Sequence, residues 1–378
     1  MNSETKKKRI VWVTPDDFLD TDFNPGLFRL LLKKYEIKWI VIFPRQNARF
    51  KEKDFAEMST WEGFDIQFMY NSYRQRDLRR LMFYRALRRK INATPFDLLY
   101  FNYGPSSPYV LPLFWSLPKH RTIFSIHEGN INDNFKMPLI SKMLMNVTYS
   151  FAKFVHMYSQ PSATAFQKKF PRPKIFTISM PLKSFGESNV ARPASPIIFL
   201  SFGIVSFAKN VDMLIDAACN LYERGFHNFR VSINGACDNW EFYRSRMRYP
   251  QIFTNDIRVI ENTEIPNLFN SSHYLVQPYR STSQSGVMKI AMNYNLPIIA
   301  SDLPGLKNEI SEGENGYTFQ TGNLEKLEEL LIKVINEHKQ LYPVLLERMR
   351  QYTSAKYGNG ALSHQFEDMV SYVMADAK

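Results

Sequence analysis

Two stretches in the second half of this chain hold residues whose types and spacing suit the binding of phosphate. The first is FLSFGIVSFAKNVDMLID (199–216), in which a β-like run ends at Gly203, a short loop follows, and Lys209-Asn210 open an amphipathic helical pattern. A glycine at a strand end lets backbone approach an anion closely, and a lysine before a helix start supplies charge. Taken alone, this loop reads equally well as a connection with a solvated lysine. The second stretch is QPYRSTSQSGVMKIAMNYNLPIIASDLPGL (277–306), where a strand ends in Pro278-Tyr279, a polar loop ends in Ser285-Gly286-Val287, and a helix begins near Met288. The amides of Ser285, Gly286 and Val287 then stand at a helix N-terminus, where unpaired N–H groups and the helix dipole attract a diphosphate.

Such loops need elements to hold them, and the pattern supplies these. Short β-branched or aromatic runs alternate with helical patterns almost from the start, with strands expected at 9–13, 37–43, 66–70, 98–102, 122–126 and 154–158. A second series has strands expected at 197–202, 229–234, 257–260, 273–277, 297–301 and 317–319, and helices at 211–224, 324–342 and 363–374. Between the two series, KSFGESNVARPASP (183–196) is poor in large apolar residues and reads as a linker. Repeated strand, crossover and strand units imply a mainly parallel sheet covered on both faces, here twice over. The expected class is α/β, with two Rossmann-like doubly wound domains, residues 1–185 and 186–360, and a helix within 361–378 returning to the first. Ligands of such folds sit at the carboxyl ends of strands, in the cleft between domains.

A chain of 378 residues with 44% apolar usage is long enough for two cores. No window approaches the ~18 continuous apolar residues of a membrane span, and the basic start MNSETKKKRIVWV lacks the apolar stretch and cleavage site of a signal peptide. Two cysteines, Cys219 and Cys237, build neither a disulfide framework nor a multi-cysteine metal site, which suits a cytoplasmic protein. The net charge of +12 favours anionic company without choosing among phosphorylated small molecules, lipid headgroups and nucleic acid. The segment 73–90, YRQRDLRRLMFYRALRRK, concentrates that charge. As a helix, Arg74 to Lys90 presents an apolar stripe beside a cationic face, suited either to packing on the sheet or to an anionic membrane surface, and both uses are compatible. Asp16, Asp17, Asp20 and Asp22 cluster after the first strand, where a solvated turn and cap is the simpler account than a metal site.

The order and spacing of the motifs resemble the family 4 glycosyltransferases, retaining enzymes of GT-B fold, over most of the second half. The matching pieces are Gly203 to Lys209, Asn234-Gly235, EIPNLF (264–269), the Pro278-Tyr279 pair, SQSGV (283–287), NLPIIASDLPGL (295–306) and EGENG (312–316). In the first half, TIFSIHE (122–128) resembles the family's strand ending in a His-acid pair, and FVHMYS (154–159) a later strand ending in serine. The resemblance implies transfer of a hexose-type sugar from a nucleoside-diphosphate sugar to an acceptor hydroxyl with retention, without metal or other cofactor. It implies bacterial surface polysaccharide or glycolipid synthesis as the setting, with a saccharide or lipid-linked acceptor and no nucleic acid. The implied location is cytoplasmic, extending to the inner face of the plasma membrane through Arg74 to Lys90.

By residue, the resemblance implies His127 and Lys209 as catalytic groups, and Gly203, Lys209, Ser285, Gly286 and Val287 around the diphosphate. It implies Tyr279, Thr282, Ser283, Gln284, Glu264 and Ile265 near the donor sugar or nucleoside, and Asp22 and Glu128 on the acceptor side. The chain also departs from the family. The two glutamates that the common pattern places on sugar and ribose correspond to Thr282 and Ile290, and the arginine after the loop glycine corresponds to Ile204. Three accounts stand: an SQSGV-type subgroup with different hydroxyl contacts, a sugar held by the polar residues 281–284, or an inactive GT-B protein that binds another glycosyltransferase.

Overall fold

The runs IVWV and IKWIVIF near the start of the chain alternate between two cores rather than between core and water. Ile10 and Trp12 pack on one side of their sheet with Trp39, Val41 and Phe43, while Val11 and Val13 pack on the other with Ile40 and Ile42. Burial on both faces is what a parallel sheet flanked by helices requires. In the computed structural model, which describes residues 7–15, 19, 25–44, 50–74, 77–102, 107–127, 139–282, 284–358 and 360–376, the chain divides into two compact units. One is Met1–Met180 with Asn359–Lys378, and the other is Pro181–Gly358.

The first unit is built on a seven-stranded parallel sheet. Its strands are β1 (Lys8–Pro15), β2 (Tyr35–Pro44), β3 (Phe64–Asn71), β4 (Leu98–Phe101), β5 (Thr122–Ile126), β6 (Phe154–Met157) and β7 (Lys174–Thr177), in spatial order β3-β2-β1-β4-β5-β6-β7. The order reverses between β1 and β4, which makes that pair the sheet's topological switch point. The helix Ala361–Asp376 packs here, with Phe366, Met369, Val370 and Val373 in the same core as Trp12 and Phe28. Burial of each such side chain contributes roughly 1.5–3 kcal/mol.

The second unit has a six-stranded parallel sheet: β8 (Ile197–Phe202), β9 (Phe229–Asn234), β10 (Phe253–Asp256), β11 (Tyr274–Gln277), β12 (Ile298–Ser301) and β13 (Gly316–Phe319), in order β10-β9-β8-β11-β12-β13. Its switch point lies between β8 and β11, the two strands that lead into the candidate phosphate loops.

Four expectations from sequence are corrected. The strand expected at 257–260 is Phe253–Asp256 instead: Asp256 O accepts the Gly235 amide at 3.0 Å, while Arg258 turns outward to Asp256 and Glu264 and Val259 is exposed. The helix expected at 324–342 is two helices, Leu324–Asn336 and His338–Tyr357. The segment 183–196 is no free tether, because Ser188 Oγ bonds Asn267 Oδ1, Arg192 Nε donates to Asn270 O, and His273 Nε2 donates to Pro193 O at 2.9 Å. Burial holds the His273 imidazole down at about 4, so the ring stays neutral and accepts the Ile198 amide on Nδ1. Finally, the arginine-rich helix begins only at Arg80 and runs to Asn92, with Phe83, Tyr84, Leu87 and Ile91 buried and Leu78 and Met82 exposed. The stripe is therefore mainly a packing face.

Candidate functional site

At the carboxyl edge of the second sheet three glycine- or serine-bearing turns converge. Gly203 follows β8 with φ +104°, and Gly235 follows β9 with φ +146°. A Cβ added to Gly235 would stand 2.0 Å from the Gly203 carbonyl oxygen, so no other residue fits there without moving backbone. The Gly203 amide donates to Asn234 O at 2.9 Å and the Val205 amide to Ala236 O at 2.9 Å, which carries the β8–β9 pairing past the strand ends. A Cβ on Gly203 would lie 3.7 Å from Val287 Cγ2. The structure thus brings together the two motifs that sequence placed some eighty residues apart.

The helix that begins this second motif runs Gly286–Asn293, with Ser285 at its N-cap. The Ser285 side chain does not cap the helix. Its hydroxyl accepts instead from Gln277 Nε2 at 2.9 Å, and the same nitrogen donates to Tyr279 Oη at 2.9 Å. Gln277 is buried at the end of β11, and its Oε1 has no hydrogen-bond partner. Among the described residues this leaves a buried polar atom unsatisfied beside an uncapped helix start, an arrangement that a ligand or a water could complete.

Lys209 closes the other side. Its Nζ lies 3.8 Å from the centre of the Tyr279 ring, and burial lowers its pKa to about 8. The loop bearing Lys209 is fastened to the β11 loop by Arg280, whose amide donates to Ala208 O at 2.9 Å, whose Nη1 donates to Phe207 O at 2.6 Å, and whose Nη2 pairs with Asp212 at 2.7 Å. Asn210, in the left-handed region at φ 53°, then starts the helix Val211–Glu223. A cation held against an aromatic face and partly withdrawn from water is suited to pairing with a phosphate.

The remaining expected residues of this unit are placed as follows. Thr282 Oγ1 donates to Gln284 O at 2.6 Å and accepts the Gln284 amide, so the polar loop is internally braced. Glu264 precedes the helix Ile265–Asn270 without capping it and pairs with Arg258, whose guanidinium holds the carboxylate down at about 2. Ile265 is fully buried and offers a ligand only backbone. That helix lies against β8 through Phe269 and Phe202, ring centres 5.0 Å apart. Ile290 is buried among apolar residues, which removes any side-chain hydrogen bond to a ribose at that position, and Ile204 is exposed. Ser283, Glu128 and the aspartates 16, 17, 20 and 22 lie outside the described residues.

In the first unit, His127 follows β5 and its Nε2 donates to Asn102 Oδ1 at 2.9 Å, Asn102 itself following β4. The His127 ring rests 4.6 Å from the Tyr158 ring. Beneath it runs a buried chain of hydrogen bonds: Ser125 Oγ donates to Tyr158 Oη, Tyr158 Oη to Tyr100 Oη, and Tyr100 Oη to His156 Nδ1 at 2.6 Å. His156 Nε2 ends the chain on Ile178 O, and burial depresses this imidazole to about 4, fixing it neutral. Asn102, Tyr100 and Tyr158 went unnoticed in the sequence; the signal was their place at or near the ends of strands adjacent to the one carrying His127. Among the described residues, no group of three His, Cys, Asp or Glu side chains is arranged to hold a metal, and no helix is long and apolar enough to cross a membrane.

Comparison with known proteins places this geometry. Residues 196–337 match the family model described as "Glycosyl transferases group 1", which covers the second unit's sheet and both glycine-bearing loops. A curated Haemophilus influenzae protein described as an uncharacterized glycosyltransferase is 23% identical over 201 residues, 53% of this chain. The match spans 56% of that relative, a little over half its length. Sucrose-phosphate synthase from Thermosynechococcus elongatus superposes with TM-score 0.74 at 13% identity, over 98% of this chain and all of that one. Anabaena HepE, solved in complex with UDP-glucose, superposes with TM-score 0.69 at 14% identity, over 96% of this chain and 99% of its own. The architecture is that of the GT-B glycosyltransferases, and the second unit is similar in sequence to the group 1 family.

Proposed function

We propose that this protein transfers a hexose-type sugar from a nucleoside-diphosphate sugar to an acceptor hydroxyl with retention at the anomeric carbon. The observation that carries the reading is the convergence of Gly203, Lys209 and the uncapped start of the helix at Gly286 on one edge of one sheet. These groups are fixed before any ligand arrives, which is the condition for stabilising charge that grows on a departing diphosphate. HepE, of the same fold, is described with UDP-glucose, which supports a uridine nucleotide as the first donor to test. His127, held by Asn102 and Tyr158, is assigned to the donor sugar as a hydrogen-bonding and orienting group. No protein nucleophile is invoked: the leaving phosphate oxygen takes the acceptor proton. The setting that the family resemblance implies is surface polysaccharide or glycolipid assembly, with a lipid-linked or saccharide acceptor, and with the exposed arginines of the helix Arg80–Asn92 against anionic headgroups.

The test is ligand-dependent stability and turnover. UDP-, GDP- and other nucleotide sugars are screened by thermal shift, since a ligand of the native state raises the melting temperature, and hits are assayed for transfer. The expected result is a response to one nucleoside diphosphate that Lys209→Ala removes, together with α-linked product from an α-linked donor. Binding of a nucleotide sugar without turnover on any acceptor, lipid-linked ones included, would favour the inactive binding-partner account instead, and a β-linked product would exclude retention.

A further inference from the structure

Ile204, which follows the loop glycine Gly203, is exposed and apolar and brings no charge to this edge of the sheet. Lys183 brings one from a different part of the chain. A Cβ built on Gly286 would lie 2.9 Å from Lys183 Nζ and 3.4 Å from its Cε. The ammonium therefore rests over the first residue of the Gly286–Asn293 helix, in the space that the missing side chain leaves open. Gly286 has ordinary helical backbone and no positive φ. Its lack of a side chain thus serves the lysine and not the turn.

The backbone holds this lysine in place. The Lys183 amide donates to Lys289 O at 3.4 Å, the Phe185 amide donates to Tyr294 Oη at 2.9 Å, and Tyr294 Oη donates to Gly186 O at 2.9 Å. Residues 183–186 are thereby bound along the same helix whose start the Lys183 side chain covers. An ammonium beside a helix N-terminus presents an anion with two sets of donors at once, the N–H groups of the ammonium and those of the first helical turn. The buried Gln277 Oε1, lacking a partner at the same helix start, is a second sign that the site is completed by a ligand.

We propose that Lys183 is the second cation of the donor diphosphate site, beside Lys209. This rests on the diphosphate reading of that edge given above. Lys183 and Lys209 then act together, Lys183 from the segment that precedes β8 and Lys209 from the loop that follows it. The leaving group would then meet two positive charges, one from each of these segments.

The probe is inorganic pyrophosphate, which carries the two phosphoryl groups without a base, alongside UDP and uridine, each titrated calorimetrically into the full-length protein. Lys183→Ala is expected to weaken pyrophosphate and UDP binding by about ten- to a hundredfold, the span of a lost charge-assisted hydrogen bond, and to leave uridine unchanged. Lys183→Arg is expected to restore most of the affinity. Gly286→Ala keeps the amide but displaces the ammonium, so it should weaken pyrophosphate binding, and the double variant should be no weaker than Lys183→Ala. Circular dichroism melts show whether each variant is folded. Wild-type affinity for pyrophosphate in folded Lys183→Ala, with loss in Lys209→Ala, overturns the role of Lys183 and leaves the site standing. Failure of the wild-type protein to bind pyrophosphate or any nucleoside diphosphate overturns both.

Discussion

The Lys209 ammonium stands 3.8 Å above the centre of the Tyr279 ring, and Tyr279 is buried with its hydroxyl bonded by Gln277. The aromatic face offsets part of the lost hydration, but burial dominates and lowers the lysine from 10.5 to about 8. The native state thus binds fewer protons than the unfolded chain between about 8 and 10.5.

The first prediction follows from that proton difference. The stability of the unliganded protein should rise as pH increases through this window, since the unfolded chain carries the extra proton. Affinity for a nucleoside diphosphate should fall over the same window, because the anion binds the charged lysine. Titration calorimetry in buffers of different ionisation enthalpy should detect proton uptake on binding near pH 8. Lys209→Met should abolish that uptake and flatten the profile; uptake persisting unchanged in this variant would remove Lys209 from the phosphate.

Gly235 carries the second prediction. Alanine there collides with the Gly203 backbone at 2.0 Å and must also adopt φ +146°. The cost should be at least about 3 kcal/mol, because backbone and not a flexible side chain has to yield. Nucleotide binding should be lost in whatever folded protein remains. Gly225→Ala is the control: its φ is +88°, but nothing lies within 4 Å of the added methyl, so only the backbone strain of about 1–2 kcal/mol is expected. Urea denaturation compares the two directly, and equal losses would contradict the close approach.

A third prediction concerns the buried cluster behind the phosphate helix. Lys289, nearly inaccessible, donates to Glu309 at 2.8 Å and to Tyr357 Oη at 2.6 Å, and Lys356 reaches the same carboxylate at 3.1 Å. Burial alone would push Glu309 up, but Lys289 and Lys356 outweigh it and bring the carboxyl to about 2. Its stabilising contribution is therefore complete above the ordinary 4.5 and is lost as pH falls from there toward 2. Glu309→Ala leaves two ammoniums facing each other and should cost about 3–5 kcal/mol at neutral pH. The difference from wild type should shrink in urea melts between pH 4.5 and 3.

Much of the second unit could be read from its sequence because continuous β-branched runs such as PIIFLSF and LPIIAS have few alternatives to buried parallel strands. The two glycine-bearing loops were legible in their placement, since Gly203 does follow a strand and Ser285-Gly286 does open a helix. Two of the four edge strands, β7 and β10, were not. Phe253–Asp256 pairs only with β9, and its polar FTND offers less pattern than the neighbouring IRVI, whose valine turns out to face solvent. Lys174–Thr177, likewise at a sheet edge, is only four residues long and fully covered on neither face. Lys183 left no local mark at all, because what brings it to Gly286 is a tertiary contact across a hundred residues. The only trace was a glycine in a helix start where alanine would otherwise serve.

The helix Ala361–Asp376 fills the core of a unit whose sheet lies wholly before Pro181. During synthesis, the apolar groove that receives Phe366 and Val373 is made early and stays uncovered while the whole intervening unit emerges and folds. The second unit can close as soon as its own sheet is complete, whereas the first waits for residues beyond 360. Nascent chains stalled before that point would bear an open hydrophobic trough, and chaperone holding of the newborn protein should concentrate there.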